Sequence, residues 1–303
     1  MKLVKQSFEI LEQTDFSLKG IKQFIERCGR VCYKSEDKIT DTSYEKFVDM
    51  LERKDHARPL EFGTVHLKMP WSNFNNFVGF CISKAVWDSC WIKYHVDRDS
   101  EDKTVYITTN YRYYKRLKSL RPLYGYINIA EFFTEEDNEY YPKRYTVHFI
   151  TSRGIMDEFR THVGLSHLAE STRYCAYNKD RFNNEITFII PNWIGSIKEG
   201  TYTEDHEFPP MWGHDNWMDS EWFYAMCRAE ETYLTMVREY LVPQQAREVL
   251  PLSVKSELIS CGFGSAWSNF FYRRCAKDAH PMAREIAIPL QDKFKEMGFS
   301  FVY

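Results

Sequence analysis

The sequence has no apolar run approaching the ~18–20 residues that a membrane span requires. Its opening residues, Met1 to Glu9, hold no hydrophobic stretch of the kind that directs export. Neither membrane association nor secretion is expected, and the expected location is the cytoplasm. Cys-x-x-Cys pairs are absent. The eight cysteines are scattered, with Cys28 and Cys32 the closest, and no second cluster completes a four-ligand zinc site. In an unsecreted chain such cysteines read as small buried hydrophobes rather than disulfides. Charge of one sign is also lacking. Forty Lys and Arg against 43 Asp and Glu leave −3, so no positive field advertises nucleic acid. Neither Gly-x-Gly-x-x-Gly nor Gly-Lys-Ser/Thr occurs, which removes the Rossmann and P-loop routes to phosphate binding. Proline and glycine never gather into a linker, and no repeat or low-complexity tract interrupts the chain. No metal is required: His206 and His214 beside Glu204 and Asp205, and His95 with Asp97 and Asp99, lack regular ligand spacing and read as surface groups.

What is present is a globular composition. Across 303 residues, 44% are hydrophobic and 27% charged, and 22 Phe, 20 Tyr and 8 Trp can build a large core. Apolar residues at helical spacing predict helices over 21–33 (Ile21, Phe24, Ile25, Cys28, Val31) and from Asp41 or Thr42 through Leu51. Period-two alternation predicts strands over 63–69, 104–111, 145–152 and 186–190. After Pro210 the pattern turns helical, over 221–240, from Pro243 to before Pro251, over 265–274 and over 281–297, so the C-terminal third is expected to be helical. Strands and helices that mix without strict alternation imply α+β. Residues from about Trp71 to Tyr145 differ in texture, being rich in Trp, Tyr and Asn with an acidic run at Glu135-Glu136-Asp137. They read as an insertion within a single domain spanning 1–303: a surface excursion, lid or oligomer contact.

The densest polar stretch runs from Arg160 to Tyr174. A strand ending near Ser152 and a short helix to about His162 would deliver it, and Gly164, Ser166 and Ser171 would open it into a loop. Exposed amides and hydroxyls between Arg160 and Arg173 make an anion cradle; equally, the spacing fits an ordinary helix–loop join with solvated arginines. Arg247 stands on a helical segment before Pro251. Arg274 closes Phe270-Phe271-Tyr272-Arg273-Arg274 among aromatics that would desolvate it. A guanidinium in a dry setting binds phosphate or an imide edge bidentately; the alternative for each is a salt bridge to a local acid, Glu248 or Asp278. Tyr111-Arg112-Tyr113-Tyr114-Lys115-Arg116 interleaves base and aromatic as single-strand nucleic-acid readers do, but the acidic balance favours a strand end or a subunit contact, and no nucleic-acid partner is expected.

These residues fall into a known order. Glu170-Ser171-Thr172-Arg173-Tyr174 resembles the signature loop of the flavin-dependent thymidylate synthases, whose motif is Arg-His-Arg, seven residues, Ser, then x-Arg-Tyr; here the frame reads Thr161-His162-Val163, seven residues, Ser171, Thr172, Arg173, Tyr174. Cys28-Gly29-Arg30-Val31-Cys32-Tyr33, His56-Ala57-Arg58-Pro59-Leu60-Glu61-Phe62, Ala246-Arg247-Glu248-Val249-Leu250-Pro251 and Asn269-Phe270-Phe271-Tyr272-Arg273-Arg274 with Ala279-His280 are similar to four further family blocks. The 71–145 stretch lies outside the resemblance.

The resemblance implies a central antiparallel sheet flanked by helices, and a homotetramer with active sites shared between subunits. It implies methylation of dUMP to dTMP by way of FAD, with NADPH and 5,10-methylenetetrahydrofolate as co-substrates. The flavin carries the carbon chemistry while the protein binds and orients. Carried over by position, Arg160, Ser171, Arg173 and Arg247 would hold the nucleotide. Arg274 would act catalytically at the uracil edge, favouring its ionised form, and His56, Glu61, His162 and Asn269 would line the flavin. The departures fall on the flavin side. Thr161 and Val163 stand where the motif has arginines, and Arg160, one residue early, points ~100° away on a helix. Ala169 replaces an acid or amide, Phe62 a histidine, and Phe263-Gly264-Ser265 a flavin-contact segment. An alternative reading follows: a pyrimidine-nucleotide-binding homologue that has lost flavin binding and catalysis.

Overall fold

The computed structural model describes residues 1–83, 88, 90–119, 128–171, 185–203, 217–239 and 241–302. Strands β1 (Lys2–Val4) and β2 (Ser7–Leu11) lead into helices α1 (Leu18–Tyr33) and α2 (Ser43–Arg53). Strand β3 (Thr64–Pro70), helix α3 (Trp71–Ser83), strands β4 (Ile92–Val96) and β5 (Thr104–Asn110), helix α4 (Tyr111–Ser119) and strand β6 (Phe133–Thr134) follow. Next come β7 (Arg144–Ser152), α5 (Arg153–Phe159), β8 (Ser166–Ala169), β9 (Thr187–Ile189) and β10 (Gly200–Thr201). The last part holds α6 (Trp217–Glu239), α7 (Pro243–Ala246), β11 (Lys255–Phe263), α8 (Gly264–Arg274) and α9 (Pro281–Glu296).

Helix α1 starts where Ser17 accepts the Gly20 N–H at 3.1 Å, and Ile21, Phe24, Ile25, Cys28 and Val31 bury one face, as their spacing predicts. Gly29 marks its crossing with α2: a Cβ there would lie 2.8 Å from the Phe47 ring, so a larger residue would drive the helices apart. The strands form a first antiparallel sheet, β2-β7-β11-β8, a second, β4-β5-β3-β6, and a small third, β10-β1-β9. With its flanking helices the molecule is α+β, as expected. The first sheet packs Val147, Phe149 and Leu258 against Trp267, Phe270 and Phe294 of α8 and α9. The second shares a core with α1 and α2 through Ile21, Ile25, Val48 and Leu51. The third packs Leu3 and Phe188 on Phe223 and Tyr233 of α6.

Four local expectations change. The 71–145 segment, whose texture suggests a surface excursion, is the body of the second sheet; Phe74, Phe77, Val105, Ile107 and Leu117 all lie in its core. Its interleaved tyrosines and bases form α4, with Tyr111, Tyr113 and Tyr114 turned inward, so these rings offer no stacking platform. The loop expected after Gly164 contains strand β8, paired with β11 from Ser166↔Cys261 to Ala169↔Leu258. The C-terminal third is helical apart from β11, which lies at the centre of the first sheet. Its Lys-Ser-Glu-Leu-Ile-Ser-Cys-Gly-Phe sequence has one β-branched residue and polar groups at buried positions, which hides the strand from pattern reading. Gly262 in β11 permits a close crossing, since a Cβ there would come within 2.8 Å of the Gly164 carbonyl oxygen.

Candidate active site

A cavity of 830 Å³ opens where the end of α1 (Cys32, Tyr33), the 54–59 segment, the start of α4 and strand β8 converge. His56, Arg58, Arg112, His167 and Ser171 line it, so two sequence-predicted residues, His56 and Ser171, share one wall system although they come from separate blocks. His56 Nδ1 is 3.0 Å from the Tyr33 hydroxyl. Lys54, Arg58 and Arg112 face a single carboxylate on the lining, Asp55, which gives the cavity a positive character.

Glu61 stands behind this wall rather than on it. At 2% exposure, its Oε2 accepts the Ser166 hydroxyl at 2.7 Å and its Oε1 pairs with Arg112 Nη1 at 2.5 Å. Its backbone carbonyl accepts Arg144 Nη2 at 2.6 Å, and Arg144 Nη1 donates to Thr64 Oγ1 of β3 at 3.1 Å, which ties the second sheet to the first.

His162 and Arg274 meet directly. Arg274 donates Nε–H to His162 Nε2 (2.8 Å), Nη1–H to Glu158 Oε2 (2.5 Å) and Nη2–H to the Glu158 carbonyl (2.7 Å) and Thr161 Oγ1 (3.3 Å). Its ion-pair partner is therefore Glu158 and not the nearby Asp278. A histidine that accepts at Nε2 is the neutral Nδ1–H tautomer. Burial, then the Arg274 cation, hold the His162 pKa down to about 3. His167 is fixed by the same logic: Nε2–H donates to the His162 carbonyl (3.2 Å), leaving Nδ1 to accept from Ser260 Oγ (2.9 Å). Burial lowers its pKa to about 4, with Arg160 and Arg58 adding to the effect. A relay with two neutral imidazoles thus runs from Arg274 to the His162 ring and, by way of the His162 backbone carbonyl, to the His167 ring on the cavity wall.

A charged network underlies the base of the signature loop. Glu257, in β11, accepts Lys34 Nζ (2.5 Å), Lys255 Nζ (2.5 Å) and His148 Nε2 (2.9 Å), and Glu170 lies 3.2 Å from Lys255. Burial opposes charge here, yet the His148 contact and the two ammoniums hold the Glu257 carboxyl well below the usual range. Burial likewise works against Lys255, and Glu170 and Glu257 keep its pKa raised. Lys34 reaches the network from a left-handed C-cap, φ 48°, an uncommon conformation for lysine. The Glu170 N–H donates to the Glu257 carbonyl (2.8 Å) and the Ser171 N–H to the Cys32 carbonyl (3.4 Å), so Ser171 leaves a fixed base.

The remaining predicted residues lie apart. Arg160 is exposed and 3.3 Å from Asp157. Asn269 lines a separate 250 Å³ recess with Val163, Gly164, Phe263 and Lys93, whose Nζ donates to Ser265 Oγ at 2.5 Å. Arg247 sits in a 3₁₀ turn, Arg247–Val249, packed on α6 and 3.4 Å from Glu248, away from the cavity lining. Arg173 lies outside the described residues, as do His206 and His214. Sequence reasoning does not single out Arg58, Arg112, His167, Lys93 or Glu158. Arg58 lies inside the His56–Phe62 block and His167 inside the 160–174 stretch, so both were within reach of a local signal; Arg112 and Lys93 come from the segment outside the resemblance.

No curated protein matches the chain. Among solved structures it is similar to a UMP/dUMP methylase, PolB from Streptomyces cacaoi, bound with 5-Br UMP: 12% identity, 98% of this chain and 92% of that one covered, TM-score 0.43. The same protein bound with 5-Br dUMP gives 13% identity, coverage of 98% and 93%, and a TM-score of 0.43. A family model described as thymidylate synthase complementing protein matches residues 143–297, a little over half of the chain, which takes in β7, β8, the charged network of β11 and the Arg274–His162 pair. The chain belongs to the thymidylate synthase complementing protein family.

Proposed function

We propose that the chain methylates dUMP to dTMP, with FAD as the bound cofactor and NADPH and 5,10-methylenetetrahydrofolate as co-substrates. The observation that carries the reading is the cavity in which His56 and Ser171 meet Arg58, Arg112 and His167. Its 830 Å³ lies in the ~300–1,000 Å³ range of small-molecule sites. The donor set fits both ligands: cationic Arg58 and Arg112 suit phosphoryl groups, and the Tyr33 and His56 rings offer aromatic surface. Ser171, Arg173 and Arg58 would hold the nucleotide phosphate. His56 would line the flavin, with Glu61 acting through Arg112 and Asn269 reached across the Val163 recess.

A bound flavin supplies the redox chemistry that turns the transferred carbon into a methyl group. The protein's part is binding and electrostatics. Arg274 uses four of its five N–H donors, so it would take up a uracil edge through the remaining Nη1–H and by giving up its longest contact, Thr161 Oγ1 at 3.3 Å. His162 holds that guanidinium in place as a neutral acceptor. The position of Arg247, away from this cavity, suits a site completed by a neighbouring copy, as does the exposure of Leu252 (70%) and Tyr272 (67%); a homotetramer is the proposed assembly.

Purified protein is expected to absorb as a flavoprotein and to form dTMP from dUMP with NADPH and the folate. A colourless protein that takes up no added FAD overturns the flavin reading. One observation favours a second reading, a nucleotide-binding homologue without flavin: at the Asn269 recess the exposed side chain at 163 is valine, 83% accessible and uncharged. Calorimetry that registers dUMP but no FAD selects it.

A further inference from the structure

Among the groups facing the 830 Å³ cavity, Arg112 stands out because it comes from the 71–145 segment, where the sequence resemblance to the family fails, on the helix that follows strand β5 of the second sheet. It is the second residue of α4, which follows β5 without a break, and its neighbours Tyr111 and Tyr113 are buried. Its backbone is thereby anchored in the second core. The side chain is half exposed, and its described contact is a single one, Nη1 to Glu61 Oε1. Glu61 accepts it at Oε1 only, and its Oε2 holds the Ser166 hydroxyl. A guanidinium carries five N–H donors, so with one described bond four remain for a ligand in the cavity that Arg112 lines with Arg58 and Lys54. Glu61, almost wholly buried, aims the arginine while keeping it charged.

We infer that Arg112 binds a phosphoryl group of the cavity's ligand, so that the segment outside the family resemblance contributes a binding residue to the active site. The inference rests on the proposed function for the identity of that ligand, a phosphate monoester if it is dUMP and a pyrophosphate if it is FAD. Arg112 is a binding residue here, aimed by Glu61 as a positioning residue.

The test uses full-length protein and Arg112→Lys, which keeps the charge facing Glu61 but loses the planar fork. Arg112→Gln serves in its place if the lysine variant melts early. Binding of dUMP, FAD, deoxyuridine, riboflavin and inorganic pyrophosphate is measured by calorimetry or fluorescence. The expected result is that one phosphorylated ligand binds about tenfold more weakly while its unphosphorylated counterpart binds as to wild type. Loss for dUMP identifies the monoester, and loss for FAD the pyrophosphate. Unchanged affinity for both, or equal loss for nucleoside and nucleotide, overturns the inference. Wild-type protein that binds neither dUMP nor FAD overturns the proposed function instead. In that case pyrophosphate decides: tenfold weaker binding by the variant sustains the anion site, and equal or absent binding removes it.

Discussion

In the second sheet the middle strands β5 and β3 set Val105, Ile107, Val65 and Leu67 into an apolar core, whereas the middle strand β11 of the first sheet buries Ser256, Glu257 and Ser260. Each of those polar groups has a partner: the Met156 sulfur for Ser256, Lys34, Lys255 and His148 for Glu257, and His167 for Ser260. An apolar core tolerates error gradually, since each lost methylene costs its own share. A satisfied polar network does not, because removing one member strands the others in low dielectric. The first sheet trades redundancy for the fixed charges and tautomers that the proposed nucleotide site would need, while the second supplies bulk stability and, on the helix after β5, one aimed cation.

The largest expected effect comes from breaking the network. Glu257→Ala leaves two ammoniums and His148 with Glu170 and the more exposed Glu36 as the remaining carboxylates, and should cost about 3–5 kcal/mol in urea unfolding; a loss under 1 kcal/mol would mean the network is hydrated and the contrast false. Ile107→Ala, in the apolar core, should cost about 2–4 kcal/mol while leaving ligand affinities unchanged. A coupled loss of dUMP affinity would show that the two sheets are not separable in this way.

Acid titration sharpens the comparison next. Above pH 6.5 His162 and His167 are neutral in the folded and unfolded states alike, so they contribute no pH dependence. Below it the unfolded chain takes up protons that the folded one refuses until about pH 4 for His167 and about 3 for His162. Stability is therefore lost as pH falls from 6.5 toward 4, by up to about 1.4 kcal/mol per unit for each histidine. Urea midpoints that stay constant between pH 6.5 and 5 would contradict the neutral relay. The smallest effect is expected at the surface. Val163→Arg, at an 83% exposed position, should change stability by less than ~0.5 kcal/mol while tightening FAD binding. An affinity unmoved or weakened would place the flavin away from the Asn269 recess.

Elements whose apolar spacing faces one core were legible: α1, α2, β3, β5, β7 and α6 all form within a few residues of their predicted bounds. Strands β8 and β11 were not, because their stability comes from partners distant in the chain and their sequences are polar where a strand pattern expects apolar residues. The same division runs through the site. The family blocks lead to His56 and Ser171, and the structure sets them on one cavity. Arg112 looked like part of an aromatic–basic repeat because only the packed structure turns the adjacent tyrosines inward and leaves the arginine facing out. Lys93 reaches Ser265 across a separation of 172 residues, a convergence no local window can display.

Four strands pass straight into helices with no residue between: β3 into α3, β5 into α4, β7 into α5 and β11 into α8. Such joints carry no slack. Arg112 stands two residues past one of them, and Asn269 and Arg274 ride on the helix that begins at another. A ligand gripping these side chains would freeze little backbone motion on arrival, and would pull on whole sheets if its shape were wrong. Discrimination in this protein then falls to the stiffness of its joinery, and a loosened junction should cost selectivity before it costs folding.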